Sequence, residues 1–186
     1  MSWTAIVPIK ARGQRKSRLA ARLSADERAR LADAMVTHVL AALRAAPSVR
    51  DLLVLSPAPV GGARWLRDEG RDLNEELAGA RAELPSRPLL IVHGDLPLLG
   101  ADDVEALAEA GRTGAAFSPD RRGLGTNALA IPPGPPFAFS FGVGSAALHR
   151  AAGAREVRRP GFALDVDSPD DLDTAVGAGA GWLTRI

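Results

Sequence analysis

Three aspartates at two distant points of the chain are the side chains best suited to hold a divalent cation. Asp95 follows the apolar run 88–93 by two residues, and Asp165 and Asp167 lie two apart at the end of the apolar run 161–166. Residues two apart on an extended backbone face the same side, where paired carboxylates repel unless a cation or solvent relieves them. Carboxylate oxygens suit Mg²⁺. We therefore predict a metal site at these aspartates; the alternative is capping, of a turn by Asp95 and of a helix by Asp167.

A basic segment follows the first apolar run of the chain and suits a polyphosphate. Its cationic residues, with no acid among them, are Lys10, Arg12, Arg15, Lys16, Arg18 and Arg22. A cationic loop that ends a strand and leads into a capped helix can neutralise phosphate oxygens. We predict this role for Lys10, Lys16 and Arg18. The Walker spacing of glycines and lysine is absent, and a solvated basic surface is the alternative.

Two glycine-containing segments offer neutral hydrogen-bonding groups. The segment 120–127 ends in Thr126 and Asn127, and glycine there permits close backbone approach to a ligand. Taken by itself, this segment is more typical of a hairpin turn than of a binding loop. Gly142 and Ser145 stand just before a predicted helix, where Ser145 is suited either to capping the helix or to binding an anion.

Composition excludes several classes of function. The chain has 186 residues, a formal net charge of +1 and no cysteine, which excludes thiol catalysis, disulfides and cysteine-ligated zinc. No stretch approaches the roughly 20 apolar residues that span a bilayer, and the N-terminus lacks the pattern of a signal peptide. We expect a cytoplasmic protein that does not bind membranes. A net charge near zero and 4% aromatic residues argue against nucleic-acid binding.

The elements that must position these residues alternate between strands and helices. We predict strands at 3–9, 51–56, 88–93, 115–118, 126–131 and 161–166. We predict helices from a capping box at Ser24 and Glu27 to about residue 47, and at 65–68, 74–84, 102–110, 145–152 and from Ser168 onward. Continuous apolar strands between helices indicate one α/β domain over 1–186, with a mainly parallel sheet covered on both faces. Ligands bind beyond the carboxyl ends of such strands.

The ordered set of motifs resembles one family, and the resemblance spans nearly the whole chain. The motifs are Val7–Lys10, Lys16–Leu19, Leu73-Asn74, Gly94–Pro97, Pro119-Asp120, Gly125–Leu129, Phe141-Gly142 with Ser145, and Asp165–Pro169. Together they resemble the 2-phospho-L-lactate or phosphoenolpyruvate guanylyltransferases of coenzyme F-420 biosynthesis, relatives of the molybdenum-cofactor guanylyltransferases. The chain departs from the family in the short stretch 56–72 and in Leu124, which stands where a second glycine is common.

The resemblance implies a fold, a donor and a set of site residues. It implies a Rossmann-like nucleotide-diphospho-transferase fold of three α/β/α layers with a mixed sheet, and GTP as substrate. It implies two Mg²⁺ ions near Asp95 and the pair Asp165 and Asp167. Lys10 and Lys16 would contact the phosphates, and Thr126, Gly142 and Ser145 would hold a phosphorylated acid. We also assign Arg18, Asn74 and Asn127 to substrate binding, and a homodimer is compatible with the sequence.

The hypothesis from sequence is therefore GMP transfer without a protein nucleophile. The acceptor phosphate has a second pKa of about 6, so it is mostly a dianion at neutral pH and can attack the α-phosphorus of GTP directly. Asp95, Lys10 and Lys16 would be the catalytic residues. The alternatives are a molybdopterin or sugar-type nucleotidyltransferase, a non-catalytic nucleotide-binding module, and a nucleic-acid-binding module.

Overall fold

The computed structural model describes residues 1–9, 16–134 and 137–186, and its strands form one seven-stranded sheet. The strands are β1 (Trp3–Pro8), β2 (Val49–Ser56), β3 (Arg64–Arg67), β4 (Leu89–Val92), β5 (Ala116–Pro119), β6 (Thr126–Ile131) and β7 (Arg155–Glu156). Their order across the sheet is β3-β2-β1-β4-β6-β5-β7. The long crossovers between parallel neighbours carry helices, as the alternating sequence pattern predicts.

The sheet is mostly parallel, with one strand reversed. β1 runs parallel to both β2 and β4, with Ile6 opposite Leu53 on one side and Ile91 on the other. β6 is antiparallel to β4 and to β5, with Leu129 opposite Ile91 and Phe117. The predicted mixed sheet is therefore confirmed, and the reversal at β6 brings the start of that strand beside the carboxyl end of β4.

Helices cover both faces of this sheet. They are α1 (Ala25–Ala45), α2 (Leu73–Glu83), α3 (Ala101–Ala110), α4 (Ser145–Ala151), α5 (Pro160–Ala163) and α6 (Pro169–Gly177), with 3-10 helices at Ser17–Ala21 and Gly181–Arg185. The predicted capping box is present at the start of α1, where Ser24 accepts from the backbone of Glu27 and the Glu27 side chain accepts in return. No described helix combines the length and the apolar character needed to cross a membrane.

Among the described residues, an apolar core lies on each face of the sheet, between the strands and the helices. One contains Val7 of β1 with residues of α1 and α3, such as Val39 and Leu107. The other contains Ile6 and Leu129 with residues of α2 and α4. Successive residues of β1 enter opposite cores, because side chains alternate across a strand. The architecture is thus the predicted three-layer α/β/α arrangement.

Two predicted elements are wrong. Residues 65–68 were expected to be helical, but Arg64–Arg67 is the edge strand β3, held to β2 by parallel pairing and by a 2.9 Å bond from Trp65 Nε1 to the Ser56 carbonyl. Residues 161–166 were expected to be a strand, but they contain the end of α5 and an irregular segment. Pro160 presets the first turn of α5. A Cβ on Gly161 would lie 2.9 Å from Leu99 Cα, so glycine lets this segment pass close to Leu99.

Candidate active site

The three predicted aspartates converge beyond the carboxyl end of β4. Asp95 lies three residues after the last residue of that strand, and its carbonyl accepts a 3.2 Å bond from the backbone N–H of Val166. This bond ties the loop after β4 to the segment that carries Asp165 and Asp167. Asp165 is not part of a strand, so its predicted position at a strand end is wrong. The contact between the two loops, rather than a strand end, brings Asp165 and Asp167 to Asp95.

Lys16 lies between two of these carboxylates. Its Nζ donates to Asp95 Oδ2 at 2.5 Å and to Asp167 Oδ1 at 3.1 Å, and its side chain is only 7% exposed. The backbone of Lys16 is left-handed, with φ 56°, a conformation that side chains adopt only at a cost in free energy. The predicted meeting of the basic loop with the aspartates is therefore present at Lys16. Arg18 lies exposed on the 3-10 helix that follows, and Lys10 lies outside the described residues.

The electrostatics of the cluster follow from burial and from this lysine. Burial alone would raise the pKa of Asp95, but the Lys16 ammonium, together with His93 and hydrogen bonds, outweighs it and holds the pKa below its usual value. Burial opposes the charge on Lys16, yet Asp95 and Asp167 together raise the pKa of that ammonium. Burial and the charge of Asp95 raise the pKa of Asp165. The cluster therefore has more carboxylates than ammonium groups, and one carboxylate is poorly stabilised in its charged form.

The residues present fit a hard cation. Asp95 Oδ1 is buried and has no hydrogen-bond partner among the described residues, which leaves a carboxylate oxygen free to accept a ligand. A buried carboxylate oxygen without a partner is costly, and a divalent cation removes that cost. Among the residues that the structure describes, no three acidic or histidine side chains are already arranged to ligate a metal ion. Lys16 holds two of the carboxylates instead.

Asn127 orients Asp165. Its side-chain amide donates to the Phe162 carbonyl at 2.8 Å and to Asp165 Oδ1 at 3.2 Å, and the residue is 3% exposed. The amide nitrogen is therefore engaged within the protein, and Asn127 supports a carboxylate of the cluster. The alternation of a strand could have indicated this, because Thr126 and Asn127 must face opposite sides of β6.

Thr126 and Ser145 lie on the other side of β6, next to α4. Thr126 Oγ1 is 2.9 Å from Nδ1 of His149, and both residues are buried. Ser145 is the first residue of α4, fully buried, and its hydroxyl has no partner in the described structure. Of the two roles considered for Ser145, helix capping is not observed: the N-cap is Gly144, which adopts φ 75°, and no side chain caps this helix.

Asn74 fixes the loop that contains Gly142. The Asn74 amide donates to the Phe141 carbonyl at 3.1 Å, and the Phe141 N–H donates to Asn74 Oδ1 at 2.7 Å. This pair of bonds joins the start of α2 to the loop before α4. Gly142 follows with φ 125°, a conformation that favours glycine. Asn74 thus fixes the backbone of this loop. Its contact with substrate stays a prediction.

Two histidines that sequence reasoning did not assign to the site lie within it. His93 stacks obliquely on Phe141, with ring centroids 5.4 Å apart, and burial lowers its pKa. His149 is buried against Phe141 and Phe117. The one sequence signal for His149 is its spacing of four residues from Ser145, which places the two on one face of a helix.

Family comparison identifies the chain that carries this arrangement. The family described as "Guanylyl transferase CofC like" matches residues 3–183. The chain belongs to this CofC-like guanylyl transferase family. The match spans every strand of the sheet, the Lys16–Asp95–Asp167 cluster and the Thr126–Ser145 region.

Relatives in this family are similar over nearly their whole length. A protein of Sphaerobacter thermophilus named phosphoenolpyruvate guanylyltransferase is 41% identical, and the alignment covers 95% of this chain and 94% of that protein. A protein of Rubrobacter xylanophilus with the same name is 42% identical, covering 92% of each chain.

Solved structures with low sequence identity share the fold of this CofC-like chain. A provisionally named nucleotide-diphospho-sugar transferase from Desulfovibrio desulfuricans G20 aligns with a TM-score of 0.77 at 19% identity, covering 100% of this chain and 95% of that chain. A nucleotidyl transferase from Methanothermobacter thermautotroptrophicus aligns with a TM-score of 0.63 at 15% identity, covering 99% and 98%. The predicted nucleotide-diphospho-transferase fold is confirmed.

Proposed function

We propose that the protein transfers GMP from GTP to a small phosphorylated acid and releases pyrophosphate, as a step of coenzyme F-420 biosynthesis. Phosphoenolpyruvate is the acceptor we favour, because relatives at 41% and 42% identity are named for it. 2-Phospho-L-lactate and 3-phospho-D-glycerate are the other acceptors of the same class. The observation that carries the proposal is the bridging of Asp95 and Asp167 by Lys16, beyond the carboxyl end of β4.

The reaction needs positioning and charge compensation rather than a protein nucleophile. An oxygen of the acceptor phosphate attacks the α-phosphorus of GTP, a new P–O–P bond forms, and the α–β anhydride breaks. The departing pyrophosphate takes the electron pair. Two polyanionic substrates must therefore be held in line against their mutual repulsion, which is the kind of work that preorganised cations perform.

The Asp95, Asp165 and Asp167 carboxylates would hold Mg²⁺, and two ions is our expectation. When bound, Mg²⁺ supplies positive charge that offsets the repulsion between the phosphates. Lys16 is already oriented toward these carboxylates, so its ammonium lies where phosphate oxygens would meet the metal site. We assign Lys16, with Lys10 and Arg18, to the phosphates of GTP. Asn127 would keep Asp165 directed at the cluster through their 3.2 Å hydrogen bond.

The acceptor would lie next to the Thr126 and Ser145 hydroxyls. Ser145 Oγ is fully buried without a partner in the described structure, which makes it a ready donor for an acidic ligand. The loop of Gly142, anchored by Asn74, closes the same side. We assign carboxylate recognition to Thr126 and Ser145, and close backbone approach to Gly142. GTP and Mg²⁺ are cytoplasmic, and we propose that the protein works there without nucleic acid; a homodimer is compatible with this proposal.

A panel of donors and acceptors tests the proposal. Purified protein is incubated with Mg²⁺, each of the four common NTPs, and phosphoenolpyruvate, 2-phospho-L-lactate, 3-phospho-D-glycerate, a sugar 1-phosphate or molybdopterin. Pyrophosphate release and product mass are measured. We expect a GMP adduct of phosphoenolpyruvate or a sister acid. An adduct of a sugar or molybdopterin would replace the proposed acceptor, and GTP binding without pyrophosphate release would indicate a non-catalytic module.

A further inference from the structure

His149 connects α4 to the first residue of β6. Its Nδ1 lies 2.9 Å from Thr126 Oγ1, and the two residues are 1% and 3% exposed. Ser145 lies one turn earlier than His149 on the same face of α4. The buried Thr126–His149 contact therefore includes one of the two hydroxyls that we assign to acceptor binding.

The surroundings of His149 keep its ring neutral. The ring packs against Phe117 at 5.7 Å and meets Phe141 edge-on at 5.5 Å between centroids. Burial lowers the pKa of His149. A neutral imidazole has one N–H donor and one bare nitrogen acceptor, and its neighbours decide which nitrogen carries the proton.

The partners of the two ring nitrogens decide between the tautomers. His149 Nε2 is buried and has no partner in the described part of the chain. A proton on Nε2 would be a buried donor without an acceptor, which is rarer in proteins than an underused acceptor. It would also oblige the Thr126 hydroxyl to donate to Nδ1. A proton on Nδ1 lets His149 donate to Thr126 Oγ1 and leaves the threonine O–H free.

We infer that His149 is a positioning residue that donates from Nδ1 to Thr126 Oγ1 and thereby directs the threonine hydroxyl to donate to the carboxylate of the phosphorylated acid. This inference rests on the proposed function and adds a specificity determinant to it. A carboxylate only accepts hydrogen bonds, so a threonine whose proton is committed to histidine would present only lone pairs to it. His149 thus selects acidic acceptors without touching them.

Substitution at His149 tests the inference through the acceptor KM. His149→Phe keeps an aromatic ring and removes the donor, whereas His149→Asn keeps an N–H near the position of Nδ1. We expect His149→Phe to raise the KM for phosphoenolpyruvate about five- to tenfold, the equivalent of one neutral hydrogen bond, with the KM for GTP unchanged. His149→Asn should restore most of the affinity. Equal changes in both KM values, or no rescue by asparagine, would indicate a packing role and overturn the inference.

A double-mutant cycle and a remote control sharpen this result. Thr126→Val and Thr126→Val/His149→Phe should have the same KM for phosphoenolpyruvate, because His149 acts only through the threonine hydroxyl. Additive effects would contradict that route. His38→Phe is the matched control, since His38 is a partly buried histidine that stacks on Trp182 at 5.1 Å, away from Thr126. It should leave both KM values unchanged.

The tautomer itself can be measured in the unsubstituted protein. Nitrogen NMR of ¹⁵N-histidine-labelled protein should show His149 protonated at Nδ1, and protonation at Nε2 would overturn the inference even if the variants behave as expected. This measurement needs neither substrate nor a folded variant. It also separates the two proposals, because loss of GMP transfer to every acceptor would defeat the proposed function while the tautomer still decides the Thr126–His149 arrangement.

Discussion

Lys16→Met should tighten Mg²⁺ binding while it abolishes turnover. The ammonium of Lys16 lies 2.5 Å from Asp95 and 3.1 Å from Asp167, and therefore competes with a cation for the same oxygens. Methionine keeps the unbranched apolar stem of the side chain and removes the ammonium group. Without the ammonium, the aspartates repel one another and accept Mg²⁺ more readily. Turnover should fall because the phosphates of GTP lose the positive charge of Lys16.

The magnitude follows from charge and burial. At an effective dielectric of about 20, each contact of Lys16 is worth roughly 5–7 kcal/mol before desolvation. Burying the ammonium cancels several kcal/mol of that attraction, and Asp167 is half exposed. We therefore expect Lys16→Met to lower the free energy of unfolding in EDTA by about 2–3 kcal/mol. If removal of the ammonium makes the binding free energy of Mg²⁺ more favourable by about 1.4 kcal/mol, the Kd for Mg²⁺ falls about tenfold. Saturating Mg²⁺, at about 100 times its Kd, should return about 2.7 kcal/mol of stability.

Calorimetric titration with Mg²⁺ and thermal unfolding in EDTA or Mg²⁺ provide the measurements. Arg22→Met is the matched control, because Arg22 pairs with Asp173 at 2.7 Å where both side chains are about half exposed or more. Exposed pairs contribute little, so this variant should change neither Mg²⁺ affinity nor stability by more than about 1 kcal/mol. Unchanged or weaker Mg²⁺ binding by Lys16→Met would refute the reasoning.

Three further predictions concern the residues that support the site. Asn127→Ala should cost about 1–3 kcal/mol in urea unfolding, because the Phe162 carbonyl and Asp165 lose a buried donor; an unchanged midpoint would contradict the role of Asn127. Gly161→Ala should cost about 1–3 kcal/mol, because the new methyl group would clash with the Asp103 carboxylate and meet Leu99 Cα at 2.9 Å; an unchanged melting temperature would show that the packing here is loose. Asp171→Asn should lower the melting temperature near neutral pH but not in acid. Burial opposes ionisation of Asp171, yet hydrogen bonds from Ser168 outweigh it and lower the pKa of this carboxyl. The stabilisation is therefore present above the ordinary value of 3.8 and is lost as the pH falls through the lower folded value, so a gap between wild type and variant that persists in strong acid would disprove it.

The fold could be predicted from the sequence where a local pattern was long or specific. The apolar runs of β1, β2 and β4 predicted buried parallel strands, and the capping box at Ser24 and the N-cap Ser168 marked the starts of two helices. Because ligands bind beyond the carboxyl ends of parallel strands, the position of Asp95 after β4 predicted a role in the site. These signals are local, because each depends on residues within one element and its cap.

The remainder depended on contacts between distant residues. The Lys16–Asp95 and Lys16–Asp167 bonds join residues 79 and 151 positions apart, and no spacing rule predicts them. β3 is a four-residue edge strand whose pairing with β2 decides its conformation. The Asn127–Asp165 and Thr126–His149 bonds likewise depend on how α5 and α4 cross β6. The conformation of a short strand and the hydrogen-bond partners of buried side chains depend on tertiary packing. A local sequence pattern therefore does not predict them.

Single-turnover transfer by Asp95→Asn is the most direct measurement of the central claim, that Asp95, Asp165, Asp167 and Lys16 form the transfer site. Asparagine preserves the shape of the side chain and removes the charge that both Lys16 and Mg²⁺ would require. With the enzyme in excess over labelled GTP and saturating phosphoenolpyruvate, we predict that transfer falls at least about 10³-fold, while circular dichroism shows an intact fold. Transfer within a few fold of the wild-type rate, by a folded variant, would contradict the account.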